Sequence, residues 1–402
     1  MNKVRPPRFS GMQEKVLLYA SGAVERIDTG VCTLDEVLDH APEDCRRALE
    51  HLLTCIYRYR KAIRGAWRKF CRKEPSAGVA ALLDTALTQC RFQDGVEVYS
   101  TVNVAVTLAR HEHADKFVNA VLRAALREEF VVPQKAQEIL PDGILERWQR
   151  EFPEETVEEF AGLFAGHPEF TFRLCRDVKA PSGSRMIRAY EPFRFAAGNP
   201  AVILKSGEFA RGEYYIQDPA ASMAVSLAKD VLIHTRKLLD ICCAPGGKTL
   251  MAAELLPPGA EITAADISRS RQKLTRENFE KRKVQAQIIT AEPADLTGSF
   301  DFVIADMPCS NSGVFRRRPD ALWRFSEKSL ADVMKLQQEI LRHAARLTAP
   351  GGYLLISTCS IEKDENNALT ELPGFIRISG AESLPSAEKD GAFAALMQKL
   401  PL

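Results

Sequence analysis

Cys309 and Cys359 are the residues of this chain whose setting most suggests chemistry, because each follows an apolar run that ends in polar groups. Phe300, Phe302, Val303 and Ile304 lead to Asp306, Pro308 and Cys309, and Gly352-Tyr-Leu-Leu-Ile-Ser leads to Thr358-Cys359-Ser360. Runs rich in β-formers predict buried strands. A free cysteine by default packs as a small hydrophobe, so neither thiol is a site by itself. Three further runs repeat the arrangement. Lys237-Leu-Leu-Asp-Ile-Cys242 predicts a strand that opens into the tight loop Cys243-Ala244-Pro245-Gly246-Gly247 and a helix from Lys248 to Leu256. Glu261 to Ala265 ends on Asp266, and Gln285 to Thr290 leads to Glu292.

Five successive strands thus end in a glycine turn, an acid, an acid, an acid with a thiol, and a second thiol. Core packing does not ask for polar groups at one end of every strand, and in an open α/β sheet ligands bind beyond the carboxyl ends of the strands. A nucleoside-type cofactor with a cysteine reaction beside it accounts for the set. Adjacent glycines let the backbone approach a ligand closely. The loop is not Gly-x-Gly-x-x-Gly, which disfavours a nicotinamide or flavin cofactor. Asp266, twenty residues after Gly246, can accept hydrogen bonds from ribose hydroxyls. Helix-cap chemistry is an equal alternative for that acid.

The chain that must position these groups has 402 residues, 46% hydrophobic and 27% charged, enough for two or three domains with full cores. A net charge of +1 means that affinity for nucleic acid has to come from local basic surface. The ten cysteines include no Cys-x-x-Cys pair and no His partner at zinc-finger spacing, which predicts neither a metal site nor a disulfide framework. A reducing cytoplasm is the matching compartment. Met1 to Arg8 is basic without a signal-peptide core, and no run is long and uncharged enough to span a bilayer.

From Ser10 to about Glu129 the pattern is helical, with segments expected at Gly78 to Cys90, Thr101 to Arg110 and Ala114 to Arg127. Between Cys55 and Lys73 an apolar stripe of Ile56, Tyr59, Ile63, Trp67 and Phe70 predicts a buried helix face. Arg60, Arg64, Arg68 and Arg72 stand four apart on the other side, and no acid interrupts the run. A solvated face is the ordinary reading of such a row. Like charges at this spacing repel, however, and arginines suit a phosphate backbone. Pro133 and Pro141-Asp-Gly punctuate the end of this part, and Phe170 to about Ile216 reads as shorter mixed elements broken by prolines and glycines.

Asp240-Ile-Cys-Cys-Ala-Pro-Gly-Gly-Lys-Thr, Asp306-Met-Pro-Cys-Ser-x-x-Gly, Arg316-Arg-Arg-Pro-Asp-x-x-Trp, Leu336-Gln-x-x-Ile-Leu and Ser357-Thr-Cys-Ser-Ile, in this order, resemble the motifs of the NOL1/NOP2/Sun family of RNA cytosine-5 methyltransferases. Tyr215-Ile-Gln-Asp-x-x-Ala-Ser and Asp390-Gly-x-Phe-x-Ala-Leu are similar to the flanking motifs. The helical first third resembles the NusB-like RNA-binding domain of the bacterial branch that acts on small-subunit (16S) ribosomal RNA.

The resemblance implies an α/β, Rossmann-like S-adenosylmethionine methyltransferase domain over 212–402, preceded by an all-α NusB-like domain over 1–140 and a small α+β subdomain over 141–211. It implies S-adenosyl-L-methionine as cofactor, held by Cys242, Cys243, Ala244, Pro245, Gly246, Gly247, Lys248, Asp266, Glu292 and Asp306. Glu292 stands where the family usually has aspartate, which keeps the charge on a longer side chain. Cys359 takes the role of the thiolate that adds to carbon 6 of cytosine, and Cys309 that of the releasing thiol. Covalent addition is what the chemistry needs, because carbon 5 is a poor nucleophile until the ring is activated. Ribosomal RNA is the expected partner, for a monomer without metal or membrane. Transfer RNA as substrate, or an RNA-binding assembly factor without turnover, are the rival readings. Arg316, Arg317 and Arg318, just after Cys309, are placed in sequence to meet phosphates beside a flipped base, or else form an exposed basic loop. The short stretch between Cys359 and Asp390, with Ala392 where an aromatic is common, predicts trimmed last strands.

Overall fold

A computed structural model describes residues 11–175 and 177–401. The basic segment Met1 to Arg8 lies outside them. Two compact units emerge: one runs to His167 and takes in Phe315–Ser326, and the other holds Pro168–Val314 and the chain from Glu327.

In the first unit the helix Ala77–Phe92 is buried continuously from Val79 to Gln89, wrapped by Met12–Asp28, Arg46–Arg58, Val98–Ala109 and Asp115–Arg127. The expected apolar stripe is present, with Ile56, Tyr59, Ile63 and Trp67 buried, while Phe70 is exposed. It is carried by two helices, because the backbone breaks at Tyr59 between Arg46–Arg58 and Arg60–Arg68.

The arginine row departs from the phosphate-binding expectation. Arg60 is buried and forms a two-point pair with Asp28. Arg64 bonds Asp28 at 3.0 Å and the fully buried Asp84 at 2.9 Å, and Asp84 also accepts from Trp67 Nε1 at 2.8 Å. Arg68 pairs with Glu74 at 2.6 Å, and Arg72 is exposed. The acids that meet Arg60 and Arg64, Asp28 and Asp84, come from other helices.

The expected border at 140/141 does not separate packing units. Trp148 of Asp142–Glu151 packs with Phe160 and Phe164 of Glu154–Ala165, and with Phe315, so this aromatic cluster belongs to the helical unit. The Arg316–Arg318 run goes with it. The carbonyl of the buried Arg316 accepts from Arg58 at 2.8 Å, and Arg318 pairs with Asp35 at 2.9 Å. Arg316 through its carbonyl and Arg318 through its guanidinium are therefore bonded within the helical unit.

The second unit contains two sheets. Strands β1 (Thr171–Leu174), β2 (Arg185–Ile187), β3 (Arg194–Ala197) and β4 (Tyr214–Ile216) form an antiparallel sheet in the order β2-β3-β1-β4. A border at 211/212 would cut this sheet, since β4 pairs with β1.

The larger sheet contains β5 (Lys237–Asp240), β6 (Glu261–Asp266), β7 (Gln287–Thr290), β8 (Phe300–Asp306), β9 (Thr348–Thr358), β10 (Phe375–Ser383) and β11 (Ala392–Lys399), ordered β10-β11-β9-β8-β5-β6-β7. β5 to β9 pair in parallel, and β11 pairs antiparallel with both β9 and β10. The last strands are not trimmed, being nine and eight residues long. Side chains alternate across the sheet: Leu238, Phe302, Ile304 and Leu355 pack on one face, and Leu239, Val303, Ala305, Leu354 and Ile356 on the other. The chain order reverses between β5 and β8, and such a switch point opens a crevice at the carboxyl ends of the strands.

Candidate functional site: two thiols at the switch point

β8 and β9 are neighbours, so the loops that follow them meet. Their thiols face one another, with Cys309 Sγ 3.1 Å from Cys359 Sγ, and none of the ten cysteines is in a disulfide. Serine hydroxyls stitch the loops together. Ser310 Oγ bonds Ser360 Oγ at 2.9 Å, Ser312 Oγ lies 3.2 Å from Ser360 Oγ, and the backbone of Ile361 donates to Ser312 Oγ at 2.9 Å. Gly313 donates to the Cys359 carbonyl at 2.9 Å and accepts from Gly391 at 2.8 Å. A Cβ on Gly313 would stand 2.6 Å from the Gly391 oxygen and 2.8 Å from that of Cys359, so glycine is required for the approach. The Asn311 backbone is left-handed at φ 62°, and its Oδ1 accepts from Cys359 Sγ at 3.3 Å.

The Cys309 thiol is pushed well above its ordinary value, first by its hydrogen bond with Cys359, then by burial, and then by the charges of Cys359 and Glu365. It is therefore a protonated partner to Cys359. Beside Cys359 opens a cavity of about 90 Å³, whose lining includes Met223, Lys248, Val314, Thr358 and Phe393.

Lys248 and Asp306 also reach this point. Lys248 Nζ donates to Asp306 Oδ2 at 2.8 Å, and Ser357 Oγ donates to Asp306 Oδ1 at 2.7 Å. Burial works against the Lys248 charge, but the Asp306 carboxylate outweighs it and the lysine ends above its ordinary value. It remains a cation.

The glycine loop follows β5. Gly246 has φ 98°, and a Cβ there would come within 2.6 Å of the Phe279 ring; one on Gly247 would stand 2.8 Å from Gln217 Nε2. The glycines hold the turn tight against its neighbours. Asp266 is buried at the end of β6, where its carboxylate accepts from Ala244 N at 3.1 Å and Ser268 N at 2.9 Å and pairs with Arg271 at 3.2 Å. It holds the loop and turns the chain into the next helix, so capping is part of its work. Cys242 and Cys243 are both pushed up, by burial first and by the Asp240 charge next, which keeps them out of nucleophilic chemistry. Glu292 is exposed after β7.

Donor chemistry at the switch point suits a nucleoside with a sulfonium. Gly246 and Gly247 bring the backbone close, Asp266 and Asp306 supply carboxylates, and Gln217 Oε1 is buried beside the loop without a hydrogen-bond partner among the described residues. Among the described residues no group of three or more His, Cys, Asp or Glu could hold a metal ion, and no helix is long and apolar enough to cross a membrane.

Several residues of the site carried no separate signal in the sequence. Asn311, Ser312 and Gly313 sat inside a motif without a role, and Glu365 lay on a helix with no pattern of its own. Asp240 is buried under the glycine loop and accepts from Thr249 Oγ1 at 2.5 Å. Burial, more than the neighbouring Asp306 charge, pushes its carboxyl up to about 7.

Fold and site together define a Rossmann-like methyltransferase with a thiol pair. A family model described as 16S rRNA methyltransferase RsmB/F matches residues 232–373, and one described as NusB family matches residues 27–127. The ribosomal RNA small subunit methyltransferase B of Photorhabdus laumondii is 31% identical over 307 residues, which cover 70% of this chain and 69% of that protein. The protein of the same name from Xylella fastidiosa is 29% identical over 372 residues, 86% of this chain and 83% of its own. The crystal structure of PH0851 superposes with a TM-score of 0.74 over 98% of this chain and 100% of that one, at 21% identity, so the fold is shared. The chain belongs to the ribosomal RNA small subunit methyltransferase B family, and S-adenosylmethionine is its methyl donor.

Proposed function

We propose that this protein methylates carbon 5 of a cytosine in small-subunit (16S) ribosomal RNA through a covalent adduct between Cys359 and carbon 6. The observation that carries the reading is the pair of sulfurs 3.1 Å apart at the ends of adjacent strands, with a small cavity beside Cys359. Carbon 5 becomes nucleophilic only when a thiolate has added to carbon 6. Cys359 makes that bond: it lines the cavity, and its neighbour is the sulfur that keeps its proton. Cys309 is the releasing thiol: after methyl transfer water takes the carbon 5 proton, the electrons of that carbon–hydrogen bond restore the carbon 5–carbon 6 double bond, and the Cys359 sulfur leaves carbon 6 as a thiolate stabilised by the proton of Cys309.

S-adenosylmethionine, when bound, supplies the methyl group that carbon 5 takes. Cys242 to Lys248 and Asp266 are the residues to hold its nucleoside, with Glu292 at the adenine side and Asp306 toward the methionine end. Lys248, a cation that lines the cavity, is bonded to Asp306 and holds that carboxylate in place. Chemistry at carbon 5 needs the base out of its stack, which favours a single-stranded or flipped target.

The experiment is methylation of 16S ribosomal RNA with labelled S-adenosylmethionine, followed by nucleoside analysis. Label in 5-methylcytidine is the expected result. Label in another nucleoside, or incorporation into transfer RNA alone, would overturn the proposal.

A further inference from the structure

We propose that Glu365, braced by Gln337, is a positioning residue that fixes Cys309 for the release step. The inference rests on the reading of Cys309 as the releasing thiol. Gln337, buried on the helix Glu327–Leu347, donates through Nε2 to the Pro308 carbonyl at 2.8 Å and to Glu365 Oε1 at 2.7 Å. Glu365 Oε1 also accepts from the Ser310 backbone N–H at 3.1 Å. The residues immediately before and after Cys309 are thus both fastened to one glutamine–glutamate pair.

Glu365 lies on the short helix Lys363–Ala368 next to Asn366, which exchanges side-chain bonds with the other thiol loop. Thr358 Oγ1 donates to Asn366 Oδ1 at 2.8 Å, and Asn366 Nδ2 donates to the Ser360 carbonyl at 3.0 Å. Consecutive residues of one helix therefore hold the two cysteine loops, Glu365 that of Cys309 and Asn366 that of Cys359. The spacing of the sulfurs is set from that helix.

Stability alone does not explain a glutamate here. Its side chain is fully buried, and Oε2 has no hydrogen-bond partner among the described residues. A buried acceptor left unmatched is unfavourable, and such groups in folded proteins call for an explanation. Here the explanation is the Cys309 loop. The same carboxylate is among the charges that keep Cys309 protonated, behind the Cys359 hydrogen bond and burial.

The test compares Glu365→Ala and Glu365→Gln in the full chain, with Cys309→Ala as control, using ribosomal RNA and S-adenosylmethionine. Glu365→Ala is expected to lower kcat roughly tenfold or more and to accumulate a covalent protein–RNA complex on denaturing gels, with KM for S-adenosylmethionine unchanged. Glu365→Gln keeps an oxygen for Ser310 and Gln337 and should restore release to within about threefold of the unaltered protein. Normal turnover of Glu365→Ala without trapped RNA would overturn the proposal, and so would equal impairment of both variants. If Glu365→Ala does not fold, Gln337→Leu carries the same expectation, because it removes the bond to Pro308 and the brace on Glu365. Trapping by Cys309→Ala but by neither Glu365→Ala nor Gln337→Leu would sink this proposal alone. No trapping by Cys309→Ala would overturn the releasing-thiol reading and this inference with it.

Discussion

Replacing Asp84 by alanine is expected to melt the helical unit well before any change in catalysis. Asp84 is fully buried and takes Trp67 Nε1 at 2.8 Å and Arg64 Nε at 2.9 Å. Alanine leaves the buried indole N–H without an acceptor, which costs about 1–3 kcal/mol. Breaking a buried ion pair costs about 3–5 kcal/mol when the remaining charge is stranded. Arg64 is not stranded, since its side chain is 25% exposed and it keeps Asp28 at 3.0 Å. The lower figure of about 3 kcal/mol therefore applies. At about 2–4 °C per kcal/mol for a unit of this size, Tm should fall by about 6–12 °C. Circular dichroism during a thermal scan measures it, with Arg72→Ala, an exposed member of the same row, expected to change stability by no more than about 0.5 kcal/mol. A shift for Asp84→Ala no larger than that for Arg72→Ala would refute the argument that the row is anchored by the buried Asp84.

Two more outcomes follow from the cofactor side of the site. Asp266→Ala removes the acceptor of the Ala244 and Ser268 amides and the proposed ribose acceptor, so calorimetry should find S-adenosylmethionine affinity weaker by roughly tenfold or more, each bond to a charged group being worth about 1.5–3 kcal/mol. Unchanged affinity would take Asp266 out of the site. Asp240 is raised by burial to about 7, above its unfolded value of 3.8, so the folded state holds its proton more tightly. The stability it contributes is fully present below pH 3.8 and is lost as pH rises to about 7. The local slope approaches about 1.4 kcal/mol per pH unit. Asp240→Asn should lose less stability than the unaltered protein between those limits in urea titrations, and parallel profiles would contradict the assignment.

Sequence pattern revealed the parts of the site that depend on strand ends. Asp266 and Asp306 close the strands expected of them, Cys309 and Cys359 lie just beyond β8 and β9, and the glycine loop follows β5, because an apolar run bounded by polar residues is a local signal. What the pattern could not reveal came from elsewhere in the chain. Arg60 and Arg64 read as unpaired because Asp28 and Asp84 are 32 and 20 residues away from their partners. Glu365 is 55 residues from the Ser310 amide it accepts, and no periodicity connects them. The packing units divide the chain differently from the expected borders for a similar reason. Phe315–Ser326 is inserted within the second unit in sequence but packs with the helices, and β4 completes a sheet begun before the expected border. The last strands were expected to be short from loop length, yet β11 has a full partner on each side, and pairing with β9 and β10 sets its length.

The most direct test of the two-thiol account is covalent trapping of ribosomal RNA by single cysteine variants in the presence of S-adenosylmethionine. Cys309→Ala should add Cys359 to the base, transfer the methyl group and stall as a complex stable to denaturing electrophoresis. Cys359→Ala should neither methylate nor trap RNA. Accumulation of the complex with Cys359→Ala instead would reverse the roles. Trapping by neither variant, while the unaltered protein methylates normally, would contradict the adduct mechanism itself.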